Sequence, residues 1–314
     1  MQVHFDANHI FDSVEVQKEL KEYYERLITI LSEQILLPEF LDKVEAIFIP
    51  EDFISAVMVF QEEHGMGTPS VTNNSFGRAY GKMLHDSATG KYYVFIDSSV
   101  ASMIMDDQVF DSYFSQGDEK SYLAAKQARS MGLNILAHEL SHVEFAIRVK
   151  RPESEKSLHS GLIQHGFILL DEYFACRRAT AFSKYSLADG DEKFIQDLEC
   201  QTEEDRWAYK TGKIDLNHFC SLFHSYTEMA LIRLVSVIGA NHSMGSDHLP
   251  FPKTKVGRYA HVLREEFDLL YASILSGANV SISEEVINAI HSYFVDMGVR
   301  IEDTTQGLYY HVPD

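Results

Sequence analysis

The runs of this chain that read as strands fall before residue 98. From about residue 119 to residue 297, apolar residues instead recur at intervals of three and four with few interruptions. Strands and helices therefore do not alternate, which argues against a doubly wound parallel sheet. The expected class is α+β, with a small N-terminal sheet in the first third and a mostly helical C-terminal half.

Asp12 and Ser13 can cap a helix from about residue 14 to 36, with Leu20, Tyr24, Leu27 and Leu31 among its apolar positions and Pro38 closing it. The run VEAIFI (44–49) reads as a strand. Pro50-Glu51-Asp52 then opens a helix that Gly65 ends. Residues 65–77 read as a loop. RAYGKMLH (78–85) and KYYVFID (91–97) read as a hairpin turning at DSATG. Helices are expected near 119–131, 133–149, 160–184, 190–211, 215–240, 255–276 and 283–297. There is no internal repeat and no Pro-, Gly- or Ser-rich linker. A division into regions 1–185 and 186–314 is a convenience, and a single domain fits as well.

Composition narrows the partners. The chain has 314 residues and a net charge of −20, and no Lys/Arg-rich run reverses that charge locally. Such a surface works against phosphate backbones and anionic membranes, so neither nucleic acid nor membrane is an expected partner. The most apolar stretch, MALIRLVSVIG, is too short to span a bilayer and contains Arg233. The amino-terminal residues lack the basic start and continuous apolar core of a secretory leader. Cys176, Cys200 and Cys220 are too few and too widely spaced for a disulfide framework or a zinc ribbon. Reduced thiols and a cytoplasmic location follow.

One stretch carries chemistry. NILAHELSHVEFAIRV (134–149) contains His138-Glu139-Leu140-Ser141-His142, the H-E-x-x-H pattern. On a helix, residues four apart lie on one face, so both imidazoles can reach one ion, and neutral imidazole suits zinc. Glu139 lies about 100° further round the helix, where it can act as general base instead of ligand. Leu133, Leu136, Leu140, Val143 and Ile147 supply the apolar stripe, and Pro152 stops any extension.

A catalytic zinc takes three protein ligands and keeps one position open. Phe145 and Arg148 stand where a longer all-histidine motif would need Gly and His. An acid on the next long helix is the other source, and GLIQHGFILLDEYFACRRATAF (161–182) offers Asp171 and Glu172. Glu172 shares a stripe with Ile168, Ala175 and Ala179 and is the favoured ligand, with Asp171 as the alternative. A further account makes Glu172 a buried acid paired with Arg177 or Arg178. His165 lies two turns before Glu172, and His159 falls in the preceding turn.

LAHELSHVEF followed by LDEYFACRRA resembles the gluzincin branch of zinc metallopeptidases, and a looser likeness reaches back to about residue 44. The resemblance implies one zinc ion held by His138, His142 and Glu172, with Glu139 as the base that later passes its proton to the leaving amine. It also implies a sheet-edge strand that binds substrate backbone, RAYGKMLH or KYYVFID here. Several gluzincins carry an aspartate four residues after the ligand glutamate, and it orients a zinc histidine. Cys176 stands in that place, so a backbone carbonyl or Asp171 would have to serve. An oxyanion-stabilising His or Tyr is also implied, and His224, Tyr226, His242 and His248 are candidates that no spacing selects.

The expected activity is therefore zinc-dependent hydrolysis of peptide bonds in a protein or peptide substrate. The alternative is a non-enzymatic regulatory or protein-binding module with a structural zinc, closed by a fourth ligand such as His159 or His165. The late helices have no assigned role and are open to covering a cleft or meeting a regulatory partner.

Overall fold

The computed structural model describes residues 1–6, 14–74, 77–115, 117–153, 155–185, 191–305 and 307–313. The expected caps Asp12 and Ser13 lie outside them. The chain is α+β and forms two compact units. One comprises residues 1–147 with 178–185, and the other comprises 148–177 with 186–314.

The first unit begins with β1 (Gln2–Phe5), α1 (Val14–Ile35), a short α2 (Pro38–Leu41), β2 (Val44–Ile49) and α3 (Phe53–Glu63). Two two-residue strands follow: β3 (Asn73–Asn74) lies within the stretch expected as loop, and β4 (Gly77–Arg78) straddles its end. Next come β5 (Gly81–Asp86) and β6 (Lys91–Ile96). β1, β2, β6 and β5 form one sheet in that order, parallel except for β5, which runs antiparallel at the edge. The expected hairpin is present, with Met83 opposite Val94 and Leu84 opposite Tyr93. β1 was not among the expected elements. At four residues it is too short to show a period, and pairing with β2 makes it a strand.

After β6 come α4 (Ser98–Ala101), α5 (Asp107–Phe114) and α6 (Glu119–Arg148). Asp97 and Asp106 cap the two short helices with their side chains. The two helices expected on either side of Gly132 are one. A Cβ at 132 would lie 3.0 Å from both the Val100 carbonyl and Ile104 Cγ1, so this glycine lets α6 pass close to α4. Close packing there outweighs the roughly 1 kcal/mol that a mid-helix glycine costs. One sheet face, with Ile47, Val94 and Ile96, packs in a core with Ile28 of α1 and Leu136 and Leu140 of α6. The other face, with Leu84 and Phe95, packs with Phe53 and Val57 of α3.

The second unit is built on α7 (Leu158–Phe182), whose last turn belongs to the first unit, then α8 (Asp191–Lys210) and α9 (Leu216–Ser243). A 3₁₀ turn at Val256–Tyr259, α10 (Ala260–Ser276), α11 (Glu284–Asp296) and a hairpin of β7 (Arg300–Thr304) and β8 (Gly307–His311) complete it. The hairpin has no counterpart among the expected elements. α9 supplies much of this core, including Phe219, Phe223, Leu231 and Leu234. Buried Glu199 accepts from the Lys255 and Val256 amides and so caps the 3₁₀ turn. Among the described residues, no helix is long and apolar enough to cross a membrane.

Candidate metal centre

α6 holds the motif as its stripe requires. Leu136, Ala137, Leu140 and Val143 are fully buried, and His138 and His142 lie half-buried on the adjoining face. The two Nε2 atoms are 3.0 Å apart and the ring planes are nearly perpendicular, at 89°. Two nitrogens bound to one tetrahedral zinc at its usual distance lie about 3.4 Å apart. The pair is therefore spaced to share an ion.

Glu139 is buried, and its neighbour is the edge strand β5. A Cβ on Gly81 would come within 2.5 Å of Glu139 Cγ and 2.6 Å of Oε1. Gly81 therefore makes room for the carboxylate. In the sequence Gly81 is one position of the expected strand RAYGKMLH. The available signal was general: a glycine inside a strand marks a close approach.

Glu172 is set by the second unit. Its Oε1 accepts from Ser236 Oγ of α9 at 3.1 Å and lies 3.6 Å from Cys176 Sγ. Burial of the sulfur, together with the Glu172 charge, pushes the Cys176 pKa well up, so it remains a thiol that can donate. Cys176 thus serves the glutamate. Sequence reading missed Ser236, which comes from α9 with no local signal.

The competing partners are engaged elsewhere. Asp171, the alternative ligand, holds Arg151 at 2.8 Å. Arg178 pairs with buried Glu144 at 3.0 Å, and Arg177 reaches Asp268 and the Tyr173 hydroxyl. His138 and His142 belong to the first unit and Glu172 to the second, and the three could hold one metal ion. Among the described residues, no other set of three His, Cys, Asp or Glu side chains has that property. His159 stands 3.9 Å from Glu284, and His165 stacks on His224, so neither joins the group.

The residues sequence reading left unassigned have partners in the second unit. His224 bonds to the Tyr310 hydroxyl at 2.8 Å, and Asp205 raises the Tyr226 pKa, although burial is the larger cause. Arg264 Nε donates to His242 Nε2 at 2.9 Å, which leaves the proton of a neutral imidazole on Nδ1, facing the Tyr173 oxygen. The backbone carbonyl of His248 accepts from Asn241.

Two imidazole nitrogens and one carboxylate oxygen form a donor set that suits zinc with one position open, and a poor one for calcium or magnesium. No protein-family model, curated protein or solved structure matches the chain.

Proposed function

We propose that this protein is a zinc-dependent metallopeptidase of gluzincin type that works in the cytoplasm on protein or peptide substrates. One observation carries the reading: His138 and His142 present nitrogens 3.0 Å apart, and buried Glu139, on the same helix, meets the sheet edge at Gly81. His138, His142 and Glu172 would hold the ion. When bound, zinc lowers the pKa of water and polarises a carbonyl.

The chain's own residues do the rest. Glu139 takes a proton from the attacking water and delivers it to the leaving amine, so that water adds across the C–N bond. Its burial limits competing solvent. Ser236 and Cys176 fix one oxygen of Glu172 and so orient the other. β6 lies inside the sheet, so of the two expected strands β5 is the edge, and among the described residues no strand pairs with its outer side, where an extended peptide could add beside Glu139. The free thiols of Cys176, Cys200 and Cys220 accord with a reducing compartment.

Zinc content and cleavage of a peptide pool test the reading in wild type, Glu139→Gln, His142→Ala and Glu172→Ala. Glu139→Gln should keep its zinc and lose activity by at least about a hundredfold. The His142 and Glu172 variants should lose zinc. A Glu139→Gln protein that cleaves normally would sink the mechanism, and a wild type that holds zinc but cleaves nothing would leave the non-enzymatic, structural-zinc account.

A further inference from the structure

Acidic residues number 47 in 314, about one in every seven positions. Between Gly65 and His85 there is none, and Arg78 and Lys82 are the formally charged residues of that stretch. It supplies the approach to β5 and most of β5 itself. The acid-free segment therefore coincides with the open sheet edge that meets Glu139 at Gly81.

The two cations differ. Arg78 is already matched, with its guanidinium 2.6 Å from buried Asp97. Lys82 has no carboxylate partner among the described residues. It is half-buried and lies opposite Phe95, one residue beyond the glycine that receives Glu139. Side chains alternate across a strand. Met83, and Gly81 with it, belongs to the α6 face, whereas Lys82 shares the α3 face with Leu84.

We infer that the peptide added to β5 carries an aspartate or glutamate beside Lys82, so that the enzyme takes acidic segments. This rests on β5 being the substrate edge of the proposed peptidase. The net charge of −20 does not oppose it at contact range, because fields are screened beyond about 8 Å at physiological salt. From Gly65 to His85 the edge offers an acidic side chain a cation, while the carboxylates beside it are occupied: Asp86, the last residue of β5, accepts from the Thr89 hydroxyl, and Glu139 is the proposed base. A lysine on a sheet edge also deters edge-to-edge aggregation, a role indifferent to the charge of a peptide substrate. The test must separate the two.

Short labelled peptides with Glu, Gln or Lys at each position in turn are bound to zinc-loaded Glu139→Gln protein and followed by fluorescence anisotropy. At one position Glu should bind about fivefold more tightly than Gln, and Lys more weakly than both. Adding Lys82→Glu should reverse the order, and adding Lys82→Met should abolish it. Gln peptides should bind all three proteins alike, and zinc content and circular dichroism should be unchanged. Equal binding of the three peptides at every position, or an order that survives Lys82→Glu, overturns the acidic preference and leaves the peptidase reading standing. If no peptide binds and wild type cleaves none, both fall.

Discussion

At the scale of single residues, the proposed base is fixed by a missing side chain. Glu139 fills the space a Cβ on Gly81 would need, with three of its atoms within 2.8 Å of that point. Gly81→Ala must therefore push the carboxylate aside. Glutamate is flexible at its far end, so the cost to stability should be modest, about 1 kcal/mol. The cost to chemistry should be larger, because a displacement near 1 Å can lower a rate by about a hundredfold. Steady-state peptide cleavage, with zinc content as control, checks this: kcat should fall while bound zinc stays at the wild-type level. The same residue shows what the sequence concealed. Gly81 was visible as a strand glycine, but nothing local named the helix that fills its place.

At the scale of elements, the packing of α7 on α9 positions Glu172, the proposed third ligand. A Cβ on Gly239 would lie 2.5 Å from the Tyr173 carbonyl oxygen and 3.2 Å from the Arg177 amide nitrogen. The obstruction is backbone, so α9 must shift bodily. Ser236, one turn earlier on α9, would move with it and loosen its bond to Glu172. Gly239→Ala should destabilise the protein by about 1–3 kcal/mol. It should also weaken zinc affinity by about tenfold, as loss of a supporting hydrogen bond does. Thermal melts and a competitive chelator titration measure the two effects, and wild-type zinc affinity in a destabilised protein would separate packing from ligand support. The place of Glu172 on α7 was legible in the sequence. Its partner was not, because Ser236 lies 64 residues further along the chain and meets it only through helix packing.

For the whole molecule, three histidines of the second unit set an acid limit. Burial is the largest cause in lowering the pKa of His165, His224 and His242 below the ordinary 6.5. His165 also lowers His224, Arg177 lowers His242 further, and Glu228 acts the other way on His165. The unfolded chain takes up protons at these sites at a higher pH than the folded chain does. Their contribution is therefore fully present above about pH 6.5 and is lost as pH falls below it toward the folded-state values. Metal-free protein should melt at progressively lower temperature from about pH 6.5 to pH 5, and His224→Gln should flatten that slope. A melting temperature independent of pH over this window would refute the assignment.

Periodicity alone determined the α+β class, most of the helices, the hairpin of β5 and β6, and the placing of His138, Glu139 and His142 on one helix. These follow from repeats of two and four residues, which are local properties of a chain. Contacts distant in sequence decided the rest. β1 became a strand by pairing with β2, Gly132 stayed inside α6 where α4 crosses it, and β5 was selected over β6 as the edge by the order of the sheet. Tertiary structure also gave the Glu172 carboxylate its Ser236 partner and gave Asp171 to Arg151. A sequence states which side chains share a face of one element. Which faces meet is settled by the burial of apolar surface from the whole chain at once.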